Sequence, residues 1–328
     1  MSPSPLFTTA DLDAATHIVR ASMPPTPQYV WPLLAEAVRT EVWVKHENHT
    51  PTGAFKVRGG LVLLAGMRQS GRVPAGLVSA TRGNHGQSLA FAGRQAGVPV
   101  TIVVPHGNST EKNAAMRAYG AQLIVEGRDF DEARAHAAAI AADRGWDSVP
   151  TFHPDLVRGV ATYAKELFDA AGELDAVYVP IGMGSGICGL LTVRDLLGLR
   201  TEVIGVVADG APAYALSVEA GRPVSTEHAT TFVDGVACRI PDPAAVELIG
   251  AGAARILRIP DVEVADAMRL LYRTTHNVAE PAGAIAVAGL CRESERQRGR
   301  RVGVILTGGN VDTAHLRLVL AGDLPAAS

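Results

Sequence analysis

Lys56 is the side chain of this sequence best placed for covalent chemistry. It stands in the stretch KHENHTPTGAFKVRGG, in which the alternation at 42–45 predicts a strand and Pro51 and Gly53 predict a turn. We expect a helix to begin near Ala54, so that Lys56 lies in its first turn. The positive end of a helix is unfavourable for an ammonium group that only needs solvent. The position favours a lysine that is neutral part of the time and forms a Schiff base with a carbonyl group, although an ordinary surface lysine has the same spacing.

A second polar loop, TRGNHGQS, follows the predicted strand GLVSAT at 76–81. Ligands of parallel sheets bind beyond the carboxyl ends of the strands, so this loop lies where a ligand is expected. Gly83 and Gly86 allow the backbone to approach a ligand closely, and Asn84 and His85 offer neutral hydrogen-bond donors at the start of a helix. A tight turn with a helix cap is the alternative interpretation of the same residues.

A third loop, PIGMGSGICG, follows the predicted strand DAVYVP and precedes a helix. Backbone N–H groups on one side of such a loop bind an anion, and the helix N-terminus adds positive potential. The residues that would form this nest are Gly182, Met183, Gly184, Ser185 and Gly186. They predict an anion-binding loop.

The same loop also fits a dinucleotide-binding site. Gly184, Gly186 and Gly189 match the pattern G-x-G-x-x-G, and Asp209 follows 20 residues later at the end of the next predicted strand. This alternative predicts an NAD-dependent oxidoreductase. It gives no role to Lys56 or to the Gly-Asn-His loop.

The elements that carry these loops alternate between strands and helices. The predicted strands are 76–81, 100–105, 121–126, 175–180, 202–209 and 301–307. The predicted helices are 85–96, 110–119, 129–143, 243–250, 261–274 and 283–297, with a further helix between the fourth and fifth strands. Such alternation indicates an α/β fold with parallel sheets and right-handed crossovers. We expect two lobes, a larger one from residues 1–50 and 151–328 and a smaller one from residues 51–150.

The two ends of the chain add further expectations. A helix over 6–20, capped by Thr9, should precede an extended segment that begins at the prolines from Pro24 to Pro27. Near the other end, the charged run ESERQRGRR at 293–301 should be a solvated helix end and not a nucleic-acid site.

The composition argues against several classes of function. The formal net charge of −3 gives no electrostatic basis for binding nucleic acid or an anionic membrane. No stretch approaches the roughly 18 uncharged apolar residues of a membrane span, and the N-terminus does not have the pattern of a secretion signal. Cys188, Cys238 and Cys291 are odd in number and far apart, which indicates a reducing, cytoplasmic environment without disulfides.

The loops described above, together with LTGGNVD after the last predicted strand, occur together in one known family. The segment TGAFKVRG, the Gly-Asn-His loop, the glycine loop and the loop with Thr307 resemble those of fold-type II pyridoxal-phosphate enzymes in order and approximate spacing. This family includes threonine dehydratases, serine racemases and β-replacement synthases, and the resemblance covers nearly the whole chain. It implies the two-lobed tryptophan-synthase-β-like architecture, with pyridoxal 5'-phosphate between the lobes.

The resemblance implies roles for individual residues. Lys56 would be the catalytic residue, which holds the cofactor and takes the α-proton of the substrate. The implied cofactor-binding residues are Phe55, Lys56, Asn84, Gly182, Met183, Gly184, Ser185, Gly186, Glu280 and Thr307. The implied substrate-binding residues are Thr81, Arg82, Gly83, Asn84, His85, Arg134 and Gly235. An ordinary exposed arginine on a helix is the alternative interpretation of Arg134. His153 and Arg158 in FHPDLVRG are further candidates for residues that face the cleft, and a position outside it is the alternative.

The implied activity is the dehydration of a β-hydroxy-α-amino acid to a 2-oxo acid and ammonia. A neutral hydroxyl from Thr307 against the pyridine nitrogen favours prompt loss of a β-leaving group over a long-lived carbanion. A β-replacement synthase is the alternative within the family. The wording of the motifs is closest to the threonine dehydratase or hydroxyectoine-utilisation dehydratase branch. Threonine, serine, 3-hydroxyaspartate, an arylserine and a hydroxyectoine breakdown product all stay open as the amino-acid substrate. The resemblance also implies a homodimer, and we expect an enzyme without a regulatory amino-acid-binding domain.

Two departures from the family pattern lead to further expectations. Relatives usually have serine or threonine where this chain has Arg82, and racemases use that hydroxyl as an acid–base group, so we expect no racemisation. If Arg82 points inward, we expect it to serve the cofactor phosphate or the entrance in preference to a substrate carboxylate; solvent or a local carboxylate is the alternative. Some relatives bind a divalent cation through acidic residues where this chain has Val207 and Ala213, so we expect no metal site.

Overall fold

Two sheets form the framework of the protein, whose computed structural model describes residues 6–128 and 130–327. The strands are β1 (Gln28–Val30), β2 (Glu41–His46), β3 (Leu77–Ala80), β4 (Val100–Val104), β5 (Gln122–Val125), β6 (Asp147–Ser148), β7 (Ala176–Pro180), β8 (Glu202–Ala208), β9 (Arg255–Ile259) and β10 (Arg301–Leu306). One sheet has the order β1-β2-β10-β7-β8-β9, and the other has the order β5-β4-β3-β6. All neighbouring strands are parallel except β1 and β2. The predicted α/β fold with parallel sheets is confirmed.

Helices cover these sheets. They are α1 (Thr9–Arg20), α2 (Pro32–Val38), α3 (Lys56–Gln69), α4 (Asn84–Ala96), α5 (Thr110–Ala118), α6 (Phe130–Arg144), α7 (Pro154–Ala171), α8 (Ser185–Leu196), α9 (Ala213–Ala220), α10 (Pro243–Gly252), α11 (Asp261–Thr275), α12 (Pro281–Arg292) and α13 (Thr313–Ala321). Strands β3, β4 and β7 are buried along their whole length. Their continuous apolar sequences are typical of parallel strands with helices on both faces.

The four-stranded sheet is built from residues between 77 and 148, whereas the six-stranded sheet takes its strands from residues before 47 and after 175. The expected lobe boundaries, at 50/51 and 150/151, separate these two sets of strands. We keep those boundaries as a proposal, because α3 packs both against α4, which lies in the smaller expected lobe, and against α7, which lies in the larger one.

The start of α1 differs by one residue from the predicted cap. Thr8, not Thr9, is the N-cap: its Oγ1 accepts a hydrogen bond from Asp11 N, and Thr8 N donates to Asp11 Oδ2 at 2.9 Å. The backbone of Thr8 is extended, with φ −90° and ψ 170°, as a capping residue requires. Likewise α3 begins at Lys56 rather than near Ala54.

Helix α7 was not among the predicted elements, although it is the longest helix in the described part of the chain. His153 caps it by accepting a hydrogen bond from Asp155 N, and Pro154 fits the first helical position. Arg158 on this helix forms an ion pair with Asp155 at 2.8 Å. Neither His153 nor Arg158 lines the cleft described below.

Helix α7 packs directly on α3 through glycine. A Cβ added to Gly59 would lie 2.8 Å from Leu156 O, and one added to Gly159 would lie 2.3 Å from Arg58 O. Both distances are shorter than real Cβ contacts, so the two backbones approach as closely as they do only because side chains are missing there. The approach fixes α3, which begins with Lys56, against α7.

Short or partly exposed elements account for the other differences. The region after Pro27 contains β1 and α2 where an extended segment was expected, and β6, α9, β9 and α13 also were not predicted. The charged run at 293–301 is not simply a solvated helix end, because α12 already stops at Arg292. Within the run, Gln297 is fully buried and donates to Tyr178 OH at 2.8 Å. In the described part of the chain, the helices are too short or too polar to cross a membrane.

Candidate active site

A pocket opens at the carboxyl ends of β3, β7 and β10, where three of the predicted loops meet. Of the predicted site residues, those that line it are Phe55, Lys56, Thr81, Arg82, Gly83, Asn84, His85, Gly182, Met183, Gly184, Ser185, Gly186, Gly235, Glu280 and Thr307. Arg134 does not line this pocket and instead borders an adjoining cavity. The fold therefore brings together residues that are far apart in sequence, at the edge of the sheets where ligands bind.

Lys56 occupies the pocket with its amine close to the glycine loop. Its Nζ donates a hydrogen bond to Ser185 Oγ at 2.8 Å and lies 4.9 Å from the centre of the Phe55 ring. Burial lowers the pKa of Lys56 to about 8, and within residues 6–128 and 130–327 no carboxylate forms an ion pair with it. A lysine with this pKa is neutral for an appreciable fraction of the time near pH 8, as nucleophilic and basic roles require.

A buried network of charges anchors the helix that carries Lys56. Arg58 is fully buried and binds Glu47 through two hydrogen bonds of 2.7 and 2.9 Å and Glu166 through two of 2.8 and 2.9 Å. Lys45 Nζ on β2 also donates to Glu166, at 2.6 Å. Burial disfavours the charge of Arg58, but the two carboxylates outweigh it and raise the pKa of the guanidinium. The network ties the first turn of α3 to the six-stranded sheet and to α7.

Two tyrosine hydroxyl groups bind carbonyl groups of the glycine loop. Tyr214 OH donates to Met183 O at 3.0 Å, and Tyr163 OH donates to Gly186 O at 2.8 Å. Gly184 immediately precedes α8 and has φ +93°. A residue with a Cβ would adopt this backbone angle only under strain. The loop thus leads into a helix N-terminus, the kind of position at which backbone N–H groups bind an anion.

Asn84 is held at both ends of its amide. Its Nδ2 donates to Glu280 Oε1 at 2.6 Å, and its Oδ1 accepts from Asn310 Nδ2 at 2.8 Å. The amide of Asn310 also donates to Thr52 O at 2.8 Å. These contacts fix which side of the Asn84 amide faces each neighbour and leave one N–H of Nδ2 for a ligand.

Lys112 and Asp234 complete this side of the pocket. Asp234 begins the segment DGVA, which resembles a pocket-lining loop of the family, whereas Lys112 is not among the residues that the sequence motifs predict. Lys112 Nζ forms an ion pair with Asp234 Oδ2 at 2.5 Å and lies 3.5 Å from Glu280 Oε2. Burial raises the pKa of Glu280 to about 7, and Lys112 opposes that shift. Burial disfavours the charge of Lys112, but Asp234 and Glu280 raise the pKa of the ammonium. The position of Lys112, at the start of the helix after β4, could have suggested it by the same strand-end rule that identified the other loops.

His85 and Thr307 also line the pocket. Burial, together with the charge of Lys56, lowers the pKa of His85 to about 3, so its ring is neutral at ordinary pH. Its Nε2 is buried and has no hydrogen-bond partner within residues 6–128 and 130–327. Thr307 Oγ1 donates to Ala282 O at 3.2 Å, and Phe55 N donates to Thr307 O at 3.0 Å. Thr307 therefore connects the end of β10 to the start of α3.

Comparison with known proteins decides the family. The family model described as pyridoxal-phosphate dependent enzyme matches residues 19–308. The chain belongs to this family. Over 98% of its length it also resembles the structure of the processed form of threonine deaminase isoform 2 from Solanum lycopersicum, with 26% identity and a TM-score of 0.88 across 97% of that chain. The fold-type II architecture and the pyridoxal-phosphate cofactor expected from the motifs are confirmed.

Two curated relatives share about a third of their residues with the chain. The biosynthetic L-threonine dehydratase of Salmonella typhimurium is 32% identical over 297 residues, which cover 90% of this chain and 58% of that protein. The chain thus spans little more than half the length of that enzyme. The L-threo-3-hydroxyaspartate ammonia-lyase of a Pseudomonas species is 32% identical over 90% of this chain and 93% of its own length.

The residues present fit the family's cofactor. The pocket contains an amine of lowered pKa in Lys56, a backbone nest for a phosphate at 182–186, and a fixed amide in Asn84. The buried Nε2 of His85 and Oε2 of Glu280 have no hydrogen-bond partner in the described residues, as expected beside a polar ligand.

The dinucleotide alternative does not fit this pocket as well. Asp209, the expected ribose-binding acid, is more than half exposed, forms an ion pair with Arg258 at 2.8 Å and does not line the pocket. Gly189 packs on Ala161 of α7 rather than facing the ligand space. Within the described residues, no group of three His, Cys, Asp or Glu side chains is arranged to hold a metal ion. The lack of activation by a divalent cation stays a prediction.

Proposed function

We propose that this chain is a dehydratase that converts a β-hydroxy-α-amino acid to a 2-oxo acid and ammonia. The observation that carries the proposal is the placement of Lys56. Its amine has a lowered pKa, contacts Ser185, where the phosphate-type loop enters α8, and pairs with no carboxylate among the described residues. The threonine dehydratase and hydroxyaspartate ammonia-lyase relatives support the same reaction class.

When bound, pyridoxal phosphate supplies an electron sink for the charge left at Cα of the amino acid. The chain supplies the positions and the protons. Lys56 Nζ, neutral at the moment of reaction, takes the α-proton. Once protonated, the same Nζ is an acid in the pocket that can return a proton to the leaving β-hydroxyl, and Ser185 Oγ at 2.8 Å is within reach as a relay. Loss of water and then hydrolysis of the released enamine give the 2-oxo acid and ammonia.

Three groups of residues hold the reactants. The loop at 182–186 would bind the cofactor phosphate through its N–H groups, and Asn84 and Thr307 would orient the ring. The first N–H groups of α4, beginning at Asn84, have no acceptor within the helix, and they would receive the α-carboxylate of the substrate. His85 is neutral and buried, so its contribution is a hydrogen bond and not a proton transfer.

The homodimer and the cytoplasmic location expected from the sequence remain parts of this proposal. Light scattering of the purified protein tests the first: a single species of twice the chain mass is expected. Fractionation of cells that express the chain tests the second.

The function is tested with purified protein and a panel of β-hydroxy-α-amino acids. We expect visible absorbance from lysine-bound pyridoxal phosphate, and release of a 2-oxo acid from at least one member of the panel. Lys56→Ala should remain folded, lose the borohydride-reducible chromophore and lose turnover. The control is Lys165→Ala, which removes a lysine that pairs with Asp169 on the surface and should change neither property. A Lys56→Ala protein that keeps a lysine-linked chromophore would refute the assignment.

A further inference from the structure

Two buried tyrosines stand behind the glycine loop of the pocket. Tyr214 lies on α9 and Tyr163 lies on α7. Neither tyrosine lines the pocket, although Met183 and Gly186 of the loop do. The two hydroxyl groups therefore reach the loop from the side that faces away from the ligand space.

The proton of each hydroxyl group has a defined direction. Tyr214 OH donates to Met183 O at 3.0 Å and accepts a hydrogen bond from Asp242 N at 3.2 Å. A backbone N–H cannot accept a hydrogen bond, so the single hydroxyl proton of Tyr214 points at the carbonyl group of Met183. Tyr163 OH donates to Gly186 O at 2.8 Å, and a carbonyl oxygen can only accept. Burial raises the pKa of both phenols, so each hydroxyl group keeps the proton that it donates.

Holding a carbonyl group also fixes the N–H group of the same peptide unit. The peptide bond is planar and trans, so its C=O and its N–H point in opposite directions. The unit held by Tyr214 carries the N–H of Gly184. The unit held by Tyr163 carries the N–H of Ile187, in the first turn of α8. Both N–H groups thus point away from the tyrosines, and in the described part of the chain neither has a hydrogen-bond acceptor, which leaves both for an anion.

We propose that Tyr214 and Tyr163 are positioning residues for the cofactor phosphate: without touching it, they turn N–H groups of the loop toward the pocket. The inference concerns the binding of pyridoxal phosphate, the cofactor of the family, and does not depend on the proposed dehydratase reaction. Without the hydroxyl groups these peptide units rotate more freely, and a phosphate that binds has to order them. The affinity for the phosphate group should therefore fall, whereas contacts with the pyridine ring should not change.

The competing explanation is that the two hydroxyl groups only stabilise the fold. Tyr178 provides a matched comparison, because it is also fully buried and its hydroxyl group has two hydrogen-bond partners. It donates to Glu293 Oε2 at 2.5 Å and accepts from Gln297 Nε2 at 2.8 Å. Tyr178→Phe thus removes a buried hydroxyl group whose partners lie outside the glycine loop, from a residue that does not line the pocket.

The test compares pyridoxal 5'-phosphate with pyridoxal, which has the same ring and aldehyde but no phosphate. Absorbance titration of the apoenzyme of the whole chain measures the dissociation constant of each. Tyr214→Phe should weaken the binding of pyridoxal 5'-phosphate roughly twofold to tenfold, the usual effect of one hydrogen bond, and leave pyridoxal nearly unchanged. Tyr163→Phe should act in the same direction. Tyr178→Phe should leave the ratio of the two dissociation constants as it is in the unaltered protein.

Inorganic phosphate gives a second measurement that does not involve the aldehyde. It competes with pyridoxal 5'-phosphate for the loop and slows the loading of the apoenzyme. Its inhibition constant should rise in Tyr214→Phe by the same factor as the dissociation constant of the cofactor.

Three results would overturn the inference, and each has a distinct meaning. An unchanged ratio of the two dissociation constants in both pocket variants shows that the hydroxyl groups do not position the phosphate site. Equal weakening of both ligands shows a general disturbance of the pocket. A change of ratio in Tyr178→Phe as large as that in Tyr214→Phe shows an effect of stability alone. Failure of the dehydratase proposal would appear separately, as absence of 2-oxo acid from every substrate while the two cofactor forms still bind with the expected difference.

Discussion

Lys112 Nζ lies 3.5 Å from Glu280 Oε2, close enough to stabilise a negative charge yet too far for a good hydrogen bond. The two side chains are buried on one wall of the pocket, and Glu280 in turn holds the amide of Asn84. The charge of Lys112 thus acts on Asn84 through Glu280, although Lys112 itself belongs to none of the recognised motifs.

The first prediction concerns the pH dependence of activity. Glu280 has a pKa of about 7, raised by burial and opposed by Lys112, so Glu280 is ionised above about pH 7 and protonated below it. We expect kcat/KM to fall as pH drops through this value, because the protonated carboxyl group holds Asn84 less strongly. Lys112→Met removes the opposing charge, raises the pKa of Glu280 further and should move this limb of the profile to higher pH.

Lys112→Arg is the matched control for that shift. It keeps the positive charge, so the limb should stay nearer its original position even if the overall rate falls. Equal displacement of the profile in both variants would show that the charge of Lys112 does not set the pKa of Glu280.

The second prediction concerns the loading of the apoenzyme with pyridoxal phosphate. Burial depresses the pKa of Lys56 to about 8, and the neutral amine is the nucleophile. The rate at which the lysine-linked absorbance appears should therefore rise with pH through about 8 and level off above it, well below the ordinary lysine range. A rate that keeps rising toward pH 10 would contradict the lowered pKa.

The third prediction concerns the buried charges beneath Lys56. Arg58→Met leaves Glu47 and Glu166 without their main partner, and breaking such a buried pair costs about 3–5 kcal/mol of the free energy of unfolding. Urea unfolding of the two proteins measures the difference. Arg39→Met, which removes an exposed ion pair with Glu295, should change the free energy of unfolding by about 1 kcal/mol or less. A loss for Arg58→Met as small as that for Arg39→Met would contradict the role given to the network.

The fourth prediction is that the enzyme does not racemise serine. Arg82 stands where racemases place a hydroxyl acid–base group, and a guanidinium keeps its proton at any accessible pH. Chiral chromatography of reactions that start from L-serine should detect no D-serine on the timescale of elimination. Formation of D-serine at a rate comparable with pyruvate release would show that another residue protonates that face.

Local motifs made much of the pocket predictable from the sequence. The turn before Lys56, the glycines at 182–186 and the Gly-Asn-His loop each owe their structure to residues within a few positions of one another. The ion-pair partners of Lys112 could not be predicted from local motifs. Asp234 and Glu280 meet it only after the chain has crossed from one sheet to the other, and no local pattern records that contact.

The longest helix shows a second limit of sequence reasoning. Helix α7 has an ordinary cap and an apolar stripe, but it lies beyond the last strand of the smaller sheet, where the strand–helix alternation no longer requires it. Its packing partner α3 is distant in sequence, so the need for glycine at positions 59 and 159 became visible only when the two helices were placed together.

That glycine contact has a consequence for variation of the sequence. A methyl group at Gly159 would push against Arg58 O, a backbone atom that cannot rotate aside, so α3 would have to shift and carry Lys56 away from Ser185. In a mutational scan scored by activity, we expect Gly159 to rank with the residues of the pocket although it touches no ligand. Alanine at Gly145, where an added Cβ meets no atom within 4 Å, tests the distinction, because it carries only the strain of a positive φ.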